Sequence, residues 1–215
     1  MEVTKINPDD FDAHDLAPAV EILHQGGVIA YPTETVYGLG ANITHRKAVA
    51  RIYQIKKRDP QKPISIMTAS VAGALELTDD VSELGKILMK RYWPGPLTLI
   101  LKASQKLPKD LVSRDQKIGF RVPDHPLTQA LVQLHKDPIT STSANITGCA
   151  PATHAEEVVC QLGESIDLVI DGGESSAKRA STVVDVTGEA PVVLREGVIS
   201  LSEIEQSLQG ASYEF

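Results

Sequence analysis

The sequence contains few cysteines and few aromatic residues. Only two of its 215 residues are cysteine, Cys149 and Cys160, and they do not form a Cys-x-x-Cys spacing. This argues against a cysteine zinc site or a redox motif. One Trp, five Tyr and three Phe are also few for a protein that recognises nucleic acid by stacking its bases.

Long apolar runs and an excess of basic residues are missing as well. No segment approaches the ~18 consecutive apolar residues of a membrane span, and the start Met1-Glu2-Val3 lacks the basic residues of a signal peptide. The 21 Lys and Arg against 28 Asp and Glu give a net charge of −7. This argues against wrapping nucleic acid over the whole surface, while a locally basic pocket remains open. We expect a soluble, cytoplasmic protein without a membrane partner.

The remaining composition is that of a globular protein, with 42% hydrophobic and 23% charged residues. Apolar runs of strand length alternate with helical patterns, and no repeat or long linker divides the chain. We therefore predict one α/β domain. The predicted strands are 28–31, 64–67, 97–101, 118–122, 138–142, 168–170, 182–186 and 192–194.

Several helix ends carry recognisable signals. Asp124 is predicted as an N-cap with Pro126 in the first turn. A helix from about Glu83 is expected to end at 93–96, because proline cannot continue it. Two capping boxes are predicted, Thr153 with Glu156 and Ser202 with Glu205.

Polar residues collect at the predicted strand ends, which are the usual ligand sites in open α/β sheets. The segment Tyr31–Gly40 places two threonines, a carboxylate and a tyrosine directly after a buried strand. This segment is a candidate ligand site, with Pro32 and Gly38 shaping its turn. The alternative is an ordinary turn whose threonines hydrogen-bond their own backbone.

Further clusters are mainly cationic. Four cations stand within 56–62, where the alternative interpretation is a solvated helix end that interacts with the helix dipole. Arg121 alternates with apolar residues, so it should be buried and should need a partner, either a protein acid or a bound carboxylate. Arg195 closes a predicted strand.

Hydroxyl groups complete the inventory. Ser141–Asn145 holds three hydroxyls and an amide, with a turn or helix cap as the alternative, and Ser181 opens another predicted strand. Phosphate-loop, Gly-x-Ser-x-Gly and His-Glu-x-x-His motifs are absent. His125 is predicted to begin a helix and the other histidines to lie at the surface. Cations, hydroxyls and an amide favour anion binding and phosphoryl or nucleotidyl transfer.

These segments resemble the YrdC/TsaC-like family. The resemblance covers about residues 15–200, and we expect residues 1–215 to form a single YrdC-like domain without the additional C-terminal domain of longer members. It implies a twisted mixed β-sheet flanked by helices around a deep, positively charged cavity. The motifs that carry it are Pro32–Gly40, Lys56-x-Arg58, Lys62-Pro63, Trp93–Thr98, Arg121–Pro123, Ser141–Asn145, Ser181–Asp185 and Leu194-Arg195.

The resemblance also implies an activity. Family members synthesise L-threonylcarbamoyladenylate from L-threonine, bicarbonate and ATP, and the product serves the threonylcarbamoyl modification of the tRNA adenosine beside the anticodon. The implied partners are these substrates, a downstream threonylcarbamoyl-transferase complex, and tRNA or double-stranded RNA. Mg²⁺ is expected to arrive with ATP, without a dedicated protein metal site.

Roles for individual residues follow from the same resemblance. The catalytic and ATP-binding set is Lys56, Arg58, Ser143 and Asn145, with Arg195 also on the nucleotide side. The residues expected to bind L-threonine are Thr33, Arg121, Ser141 and Ser181. An arginine can hold the carboxylate of threonine bidentately, which agrees with the position of Arg121.

Three residues depart from the family pattern. Asp59 follows Arg58 where proline is usual, Met67 stands where some members have histidine, and Glu196 replaces a common proline. Asp59 either weakens ATP binding or points outward. Asp59 and Glu196 are similar to the YciO-like branch, so a divergent paralogue is one alternative function. An RNA-binding maturation or translation factor that uses the same basic cavity is another.

Overall fold

The computed structural model describes residues 1–209 and contains ten strands in that range. The strands are β1 (Glu2–Lys5), β2 (Ile29–Tyr31), β3 (Gly38–Gly40), β4 (Ser65–Met67), β5 (Leu97–Lys102), β6 (Lys117–Arg121), β7 (Ile139–Ser143), β8 (Leu168–Asp171), β9 (Thr182–Asp185) and β10 (Val192–Arg195).

All ten strands belong to one sheet, in the order β1-β8-β2-β3-β7-β4-β6-β5-β9-β10. The sheet is mixed, because it contains both parallel pairs such as β4/β6 and antiparallel pairs such as β7/β4. Strand β7 lies in the middle and joins β3 to β4. The predicted single-domain α/β fold is confirmed. The last six residues of the predicted span 1–215 lie outside the described residues.

Helices pack on this sheet through apolar side chains. Leu16 and Leu23 of α1 share a buried cluster with Leu127 and Leu131 of α5. Burying such a leucine side chain stabilises the fold by about 1.5–3 kcal/mol. The helices in the described range are α1 (Ala13–His24), α2 (Arg46–Lys56), α3 (Val71–Leu75), α4 (Glu83–Tyr92), α5 (Pro126–His135), α6 (Ala155–Leu162) and α7 (Leu201–Gln209).

The eight predicted strands are all present, with ends that agree to within one residue. Strands β1 and β3 were not predicted. Strand β3 reads Gly-Leu-Gly, a sequence with low strand propensity. Its glycines are required by close approach, because a Cβ at Gly38 or Gly40 would lie 2.5 or 2.7 Å from ring carbons of Tyr31. Glycine at position 38 therefore leaves space for the ring of Tyr31, and it does not shape the turn of Thr33.

The predicted helix ends are correct for α4 and displaced elsewhere. Helix α4 begins at Glu83 and ends before Trp93. The N-cap of α5 is His125 rather than Asp124, and Pro126 is the first helical residue.

Both predicted capping boxes are wrong in register. Helix α6 has His154 as its N-cap, so Glu157 and not Glu156 reaches back to the backbone N–H of Thr153, at 2.7 Å. Helix α7 begins before Ser202. Its box consists of Ser200 and Glu203, whose side chains accept hydrogen bonds from each other's backbone N–H at 3.3 and 2.8 Å.

His135 corrects the prediction that the histidines beyond His125 lie at the surface. Its side chain closes α5 against α1 and the residue is only 1% exposed. Burial lowers the pKa of His135 to about 4, and the neighbouring His24 acts in the same direction. Within residues 1–209, no helix combines the length and the hydropathy that a membrane crossing requires.

The capping geometry of α7 predicts the effect of two serine substitutions. Ser200→Ala removes a hydroxyl that caps a backbone N–H, so it should lower the free energy of unfolding by about 1 kcal/mol. Ser202→Ala changes an exposed position inside the helix and should alter it by less than about 0.5 kcal/mol. Urea unfolding of both variants distinguishes the observed box from the predicted one; a larger loss for Ser202→Ala would contradict it.

Candidate functional site

A cavity of about 360 Å³ opens along the middle of the sheet. Its walls include residues of β2, β4, β6, β7 and β9 and of the segments that follow them. The structure brings all nine predicted site residues to this cavity, while their individual roles stay predictions. They are Thr33, Lys56, Arg58, Arg121, Ser141, Ser143, Asn145, Ser181 and Arg195.

Strand β7 places two of these hydroxyls on one face of the sheet. Ser141 and Ser143 are two residues apart, and side chains of a strand alternate between its faces. Ser141 lies opposite Ser65 of β4, and Ser143 lies opposite Gly38 of β3. Gly38 has no side chain, and the ring of Tyr31 lies over it.

Lys56 closes α2 and inserts its ammonium group beneath the end of β7. Its Nζ donates to the carbonyl oxygens of Ser143 and Asn145 and to Oδ1 of Asn145, the last two at 2.8 and 3.1 Å. Lys56 is only 2% exposed, so the solvated-end interpretation is wrong for this residue. Burial lowers its pKa to about 8, with Arg58 acting in the same direction, and the side chain is still charged at neutral pH.

The Ser143–Asn145 segment is a turn organised by its own polar groups. The hydroxyl of Ser143 donates to Oδ1 of Asn145. The amide of Asn145 donates onward to the carbonyl oxygens of Ile146 and Cys149, at 3.1 and 2.7 Å. Hydrogen bonds therefore hold the turn both to Lys56 and to the segment that follows it. A site that positions a reacting group needs such fixed side chains.

Arg58 is half-buried and braces the loop after α2. Its Nε and Nη2 donate to the carbonyl oxygens of Lys62 and Pro63 at 3.0 and 2.9 Å, and the side chain lines the cavity. Asp59 is exposed and accepts a hydrogen bond from the backbone N–H of Gln61. The Asp59 side chain therefore points outward and caps its own turn, which was one of the two alternatives for this residue.

Arg121 has a protein partner. Its Nη2 contacts Oε1 of Glu34 and Oγ1 of Thr35, both at 2.8 Å, and the Arg121 and Glu34 side chains are 6% and 14% exposed. A protein acid therefore meets this guanidinium, while the expectation that Arg121 binds the carboxylate of threonine stays a prediction. Among the described residues, Nε of Arg121 and Oε2 of Glu34 have no hydrogen-bond partner. This N–H donor and this carboxylate acceptor are therefore not used by contacts within the described residues.

Thr33 hydrogen-bonds the backbone of its own turn, as the alternative interpretation of this segment predicted. Its hydroxyl donates to the carbonyl oxygen of Val36 at 2.6 Å and accepts from the backbone N–H of Thr35 at 3.1 Å. Thr33 is buried and also lines the cavity. A substrate contact by this hydroxyl would have to replace one of these bonds.

Ser181 connects the two predicted halves of the site. Its hydroxyl lies 2.9 Å from Oγ1 of Thr98, and Nη2 of Arg195 donates to its carbonyl oxygen at 2.8 Å and to its hydroxyl at 3.1 Å. Arg195, predicted on the nucleotide side, thus holds a residue predicted to bind threonine. The two predicted binding regions therefore meet at this contact.

Four cationic side chains line the cavity, and one of them is paired with Glu34. They are Lys56, Arg58, Arg121 and Arg195, and the described lining residues include no Asp or Glu. Burial lowers the pKa of Arg195, and the guanidinium groups of Arg121 and Arg58 lower it further. These cations lie near enough to repel one another, so an anion that entered would relieve the repulsion.

Sequence reasoning assigned no role to several other residues of the cavity wall. Thr98 belongs to the Trp93–Thr98 motif. It contacts Ser181 because β5 and β9 pair in parallel, which the sequence did not predict. Tyr31 fills the wall between β2 and β3, and its hydroxyl donates to the carbonyl oxygen of Thr140 at 3.0 Å. Met67, noted as a departure, is buried in the same wall.

Comparison with known proteins decides the family. The family model Sua5_yciO_yrdC, described as "Telomere recombination", matches residues 21–197. The chain belongs to the Sua5/YciO/YrdC family.

Two branches of the Sua5/YciO/YrdC family are similar to this chain. The threonylcarbamoyl-AMP synthase of Pyrococcus abyssi is 39% identical over 87% of this chain and 55% of its own length. The putative threonylcarbamoyl-AMP synthase of Methanocaldococcus jannaschii is 36% identical, over 86% of each chain. The uncharacterized protein YciO of Escherichia coli K12 is 36% identical, over 90% of this chain and 94% of its own.

Solved structures give the same relationship. P. abyssi Sua5 complexed with L-threonine superposes with a TM-score of 0.92 at 36% identity, over 97% of this chain and 61% of the other. E. coli YciO superposes with a TM-score of 0.87 at 33% identity, over 95% of this chain and all of the other. The chain spans little more than half the length of the P. abyssi synthase and 58% of the Bacillus subtilis synthase.

The contacts of Lys56 predict a loss of stability when it is truncated. Lys56→Ala leaves the buried acceptors of the Ser143–Asn145 turn without donors, so the free energy of unfolding should fall by on the order of 3 kcal/mol. Lys57→Ala, at the exposed next residue, is the matched control. Equal denaturant midpoints for the two variants would contradict the assignment of Lys56 to the turn.

Proposed function

We propose that this chain is a threonylcarbamoyl-AMP synthase, a nucleotidyltransferase that joins L-threonine, bicarbonate and ATP. The observation that carries the proposal is the gathering of the nine predicted residues around one cavity. Relatives named as this synthase, and a related structure complexed with L-threonine, support it.

The threonine subsite would centre on Arg121. Its Nε has no partner among the described residues, and it would donate to the carboxylate of threonine while Nη2 stays with Glu34. A charge-assisted hydrogen bond of this kind is about twice as strong as a neutral one. Ser141 and Ser181 would contact the ammonium group or the hydroxyl of the same substrate.

The nucleotide subsite would centre on the turn after β7. Arg58 and Arg195 supply positive charge, and Ser143 and Asn145 supply hydrogen-bonding groups that Lys56 holds in place. Groups that are already oriented toward developing phosphate charge lower a barrier without reorganising during the reaction. Lys56 acts here mainly by positioning the turn.

The reaction needs no protein nucleophile. The neutral amine of threonine attacks the carbon of carbon dioxide and releases a proton, or attacks bicarbonate with loss of water. Either route forms a carbamate. A carbamate oxygen then attacks the α-phosphorus of ATP, the bond to the β-phosphate oxygen breaks, and pyrophosphate leaves. The cavity contributes proximity and charge neutralisation, which supply most of the acceleration in phosphoryl-type transfers.

Mg²⁺ would enter bound to ATP. Because the described lining residues offer no carboxylate, the protein provides hydroxyl and amide oxygens rather than a cage of acids. The ion would neutralise the triphosphate charge. The product would pass to a threonylcarbamoyl-transferase complex that modifies tRNA in the cytoplasm.

The assay that tests this function measures pyrophosphate release after each substrate is omitted in turn. The proposal predicts that release stops when the amino acid, bicarbonate or ATP is omitted, and that it is slower with L-serine than with L-threonine. Release that is independent of threonine, or no release at all, would instead favour the YciO branch, to which the similarity and the residues Asp59 and Glu196 also point.

Two serines on the same face of β7 allow the subsites to be separated. Ser141→Ala should raise the KM for threonine about tenfold and leave the KM for ATP nearly unchanged, because a lost hydrogen bond is worth about 1.4 kcal/mol. Ser143→Ala should do the reverse. Steady-state kinetics with each substrate varied gives both constants, and equal effects on both substrates in either variant would contradict the division.

Arg121→Lys tests the carboxylate contact. Lysine keeps the charge but loses the planar fork, so threonine affinity should fall by roughly ten- to a hundredfold. ATP affinity, measured by calorimetry without threonine, should change little. Arg114→Lys, at an exposed position, serves as the matched control. A loss confined to ATP would place Arg121 in the nucleotide subsite.

A further inference from the structure

A second cluster of ligand-forming side chains lies away from the cavity. His24 ends α1, His135 ends α5, and Asp137 lies in the link between α5 and β7. Each offers one nitrogen or oxygen atom, and these three atoms all lie within 4.8 Å of one another. None of the three residues is among the described residues that line the cavity.

His135 is the unusual member of the cluster. The residue is 1% exposed, and neither of its ring nitrogens has a hydrogen-bond partner among the described residues. A buried polar group without a partner is costly, and most such groups are satisfied by protein or by ordered water. The nearby ring of His24 does not supply the bond, since the two rings are tilted by 41° with centroids 4.4 Å apart.

We propose that His24, His135 and Asp137 bind a divalent transition-metal ion of the zinc type. Imidazole nitrogens favour zinc and its neighbours, and two histidines with one carboxylate form a known zinc ligand set that leaves a fourth position for water. Ligand atoms around a tetrahedral zinc ion lie roughly 3.4 Å apart for bonds of about 2.0–2.1 Å. The cluster therefore has to contract modestly, and the exposed His24 side chain can supply that movement.

The surroundings of the cluster also favour a cation. Helices α1 and α5 both end there, and the carboxyl end of a helix carries partial negative charge. Oδ2 of Asp137 accepts a hydrogen bond from Nδ2 of Asn42 at 3.2 Å, which orients the carboxylate as outer partners orient metal ligands. The ion would join two helices that also share a buried apolar cluster.

This site contains no cysteine and no His-Glu-x-x-His motif, so neither metal-binding pattern indicates it in the sequence. More than a hundred residues separate His24 from His135 along the chain, and only the packing of α1 on α5 brings them together. The site lies before the first residue of β7, whereas Ser141 and Ser143 lie toward its other end. Zinc binding here is independent of the proposed synthase activity.

Calorimetric titration of the full chain with Zn²⁺ tests the proposal. The protein is first stripped with a chelator and carries Cys149→Ser and Cys160→Ser, since both thiols are exposed. We expect one equivalent of Zn²⁺ to bind. The melting temperature should rise by roughly 5–10 °C at a hundredfold excess of Zn²⁺ over its dissociation constant, with no comparable rise for Mg²⁺.

Variants on exposed and half-buried positions identify the ligands without disturbing His135. His24→Ala and Asp137→Asn should each weaken Zn²⁺ binding at least tenfold. His14→Ala, an exposed histidine on the same helix, should leave it unchanged. Absence of stoichiometric binding, an equal response to Mg²⁺, or unchanged affinity in both His24→Ala and Asp137→Asn would overturn the proposal.

Discussion

The candidate site depends on one buried ammonium group. Lys56 sits at the end of α2 and donates to two backbone carbonyls and one amide oxygen of the turn after β7. Desolvating a charge is expensive unless hydrogen bonds satisfy it, and here three acceptors do so. The turn and the lysine therefore fix each other, and the positions of Ser143 and Asn145 relative to the rest of the cavity follow from this contact.

The other cations of the cavity are anchored in the same way. Arg58 is held by the carbonyls of Lys62 and Pro63, Arg195 by the carbonyl of Ser181, and Arg121 by Glu34. Each side chain is oriented by the protein before an anion arrives. Such preorganisation lowers the entropic cost of binding and strengthens electrostatic stabilisation. It agrees with a reaction in which the protein positions substrates and forms no covalent bond with them.

Much of this arrangement could be predicted from the sequence. The apolar runs predicted eight strands with ends correct to within one residue. The nine site residues that the motifs indicated all line one cavity. Strand β3 was missed because its glycines are set by the ring of Tyr31, a tertiary contact that local propensity does not contain. The Glu34–Arg121 pair, the buried state of Lys56 and the proximity of His24 to His135 were missed for the same reason. Capping boxes failed by one or two residues because several Ser/Thr–Glu spacings compete near each helix start.

The proposed function requires one cavity that holds threonine and ATP in separate halves meeting at Ser181. A crystal structure of the full chain with L-threonine and a non-hydrolysable ATP analogue would test this arrangement. We expect the threonine carboxylate on Arg121 and the phosphates beside Arg58, Ser143 and Asn145, with the threonine amine directed toward the α-phosphate. Phosphates on Arg121, or threonine bound outside the cavity, would contradict it.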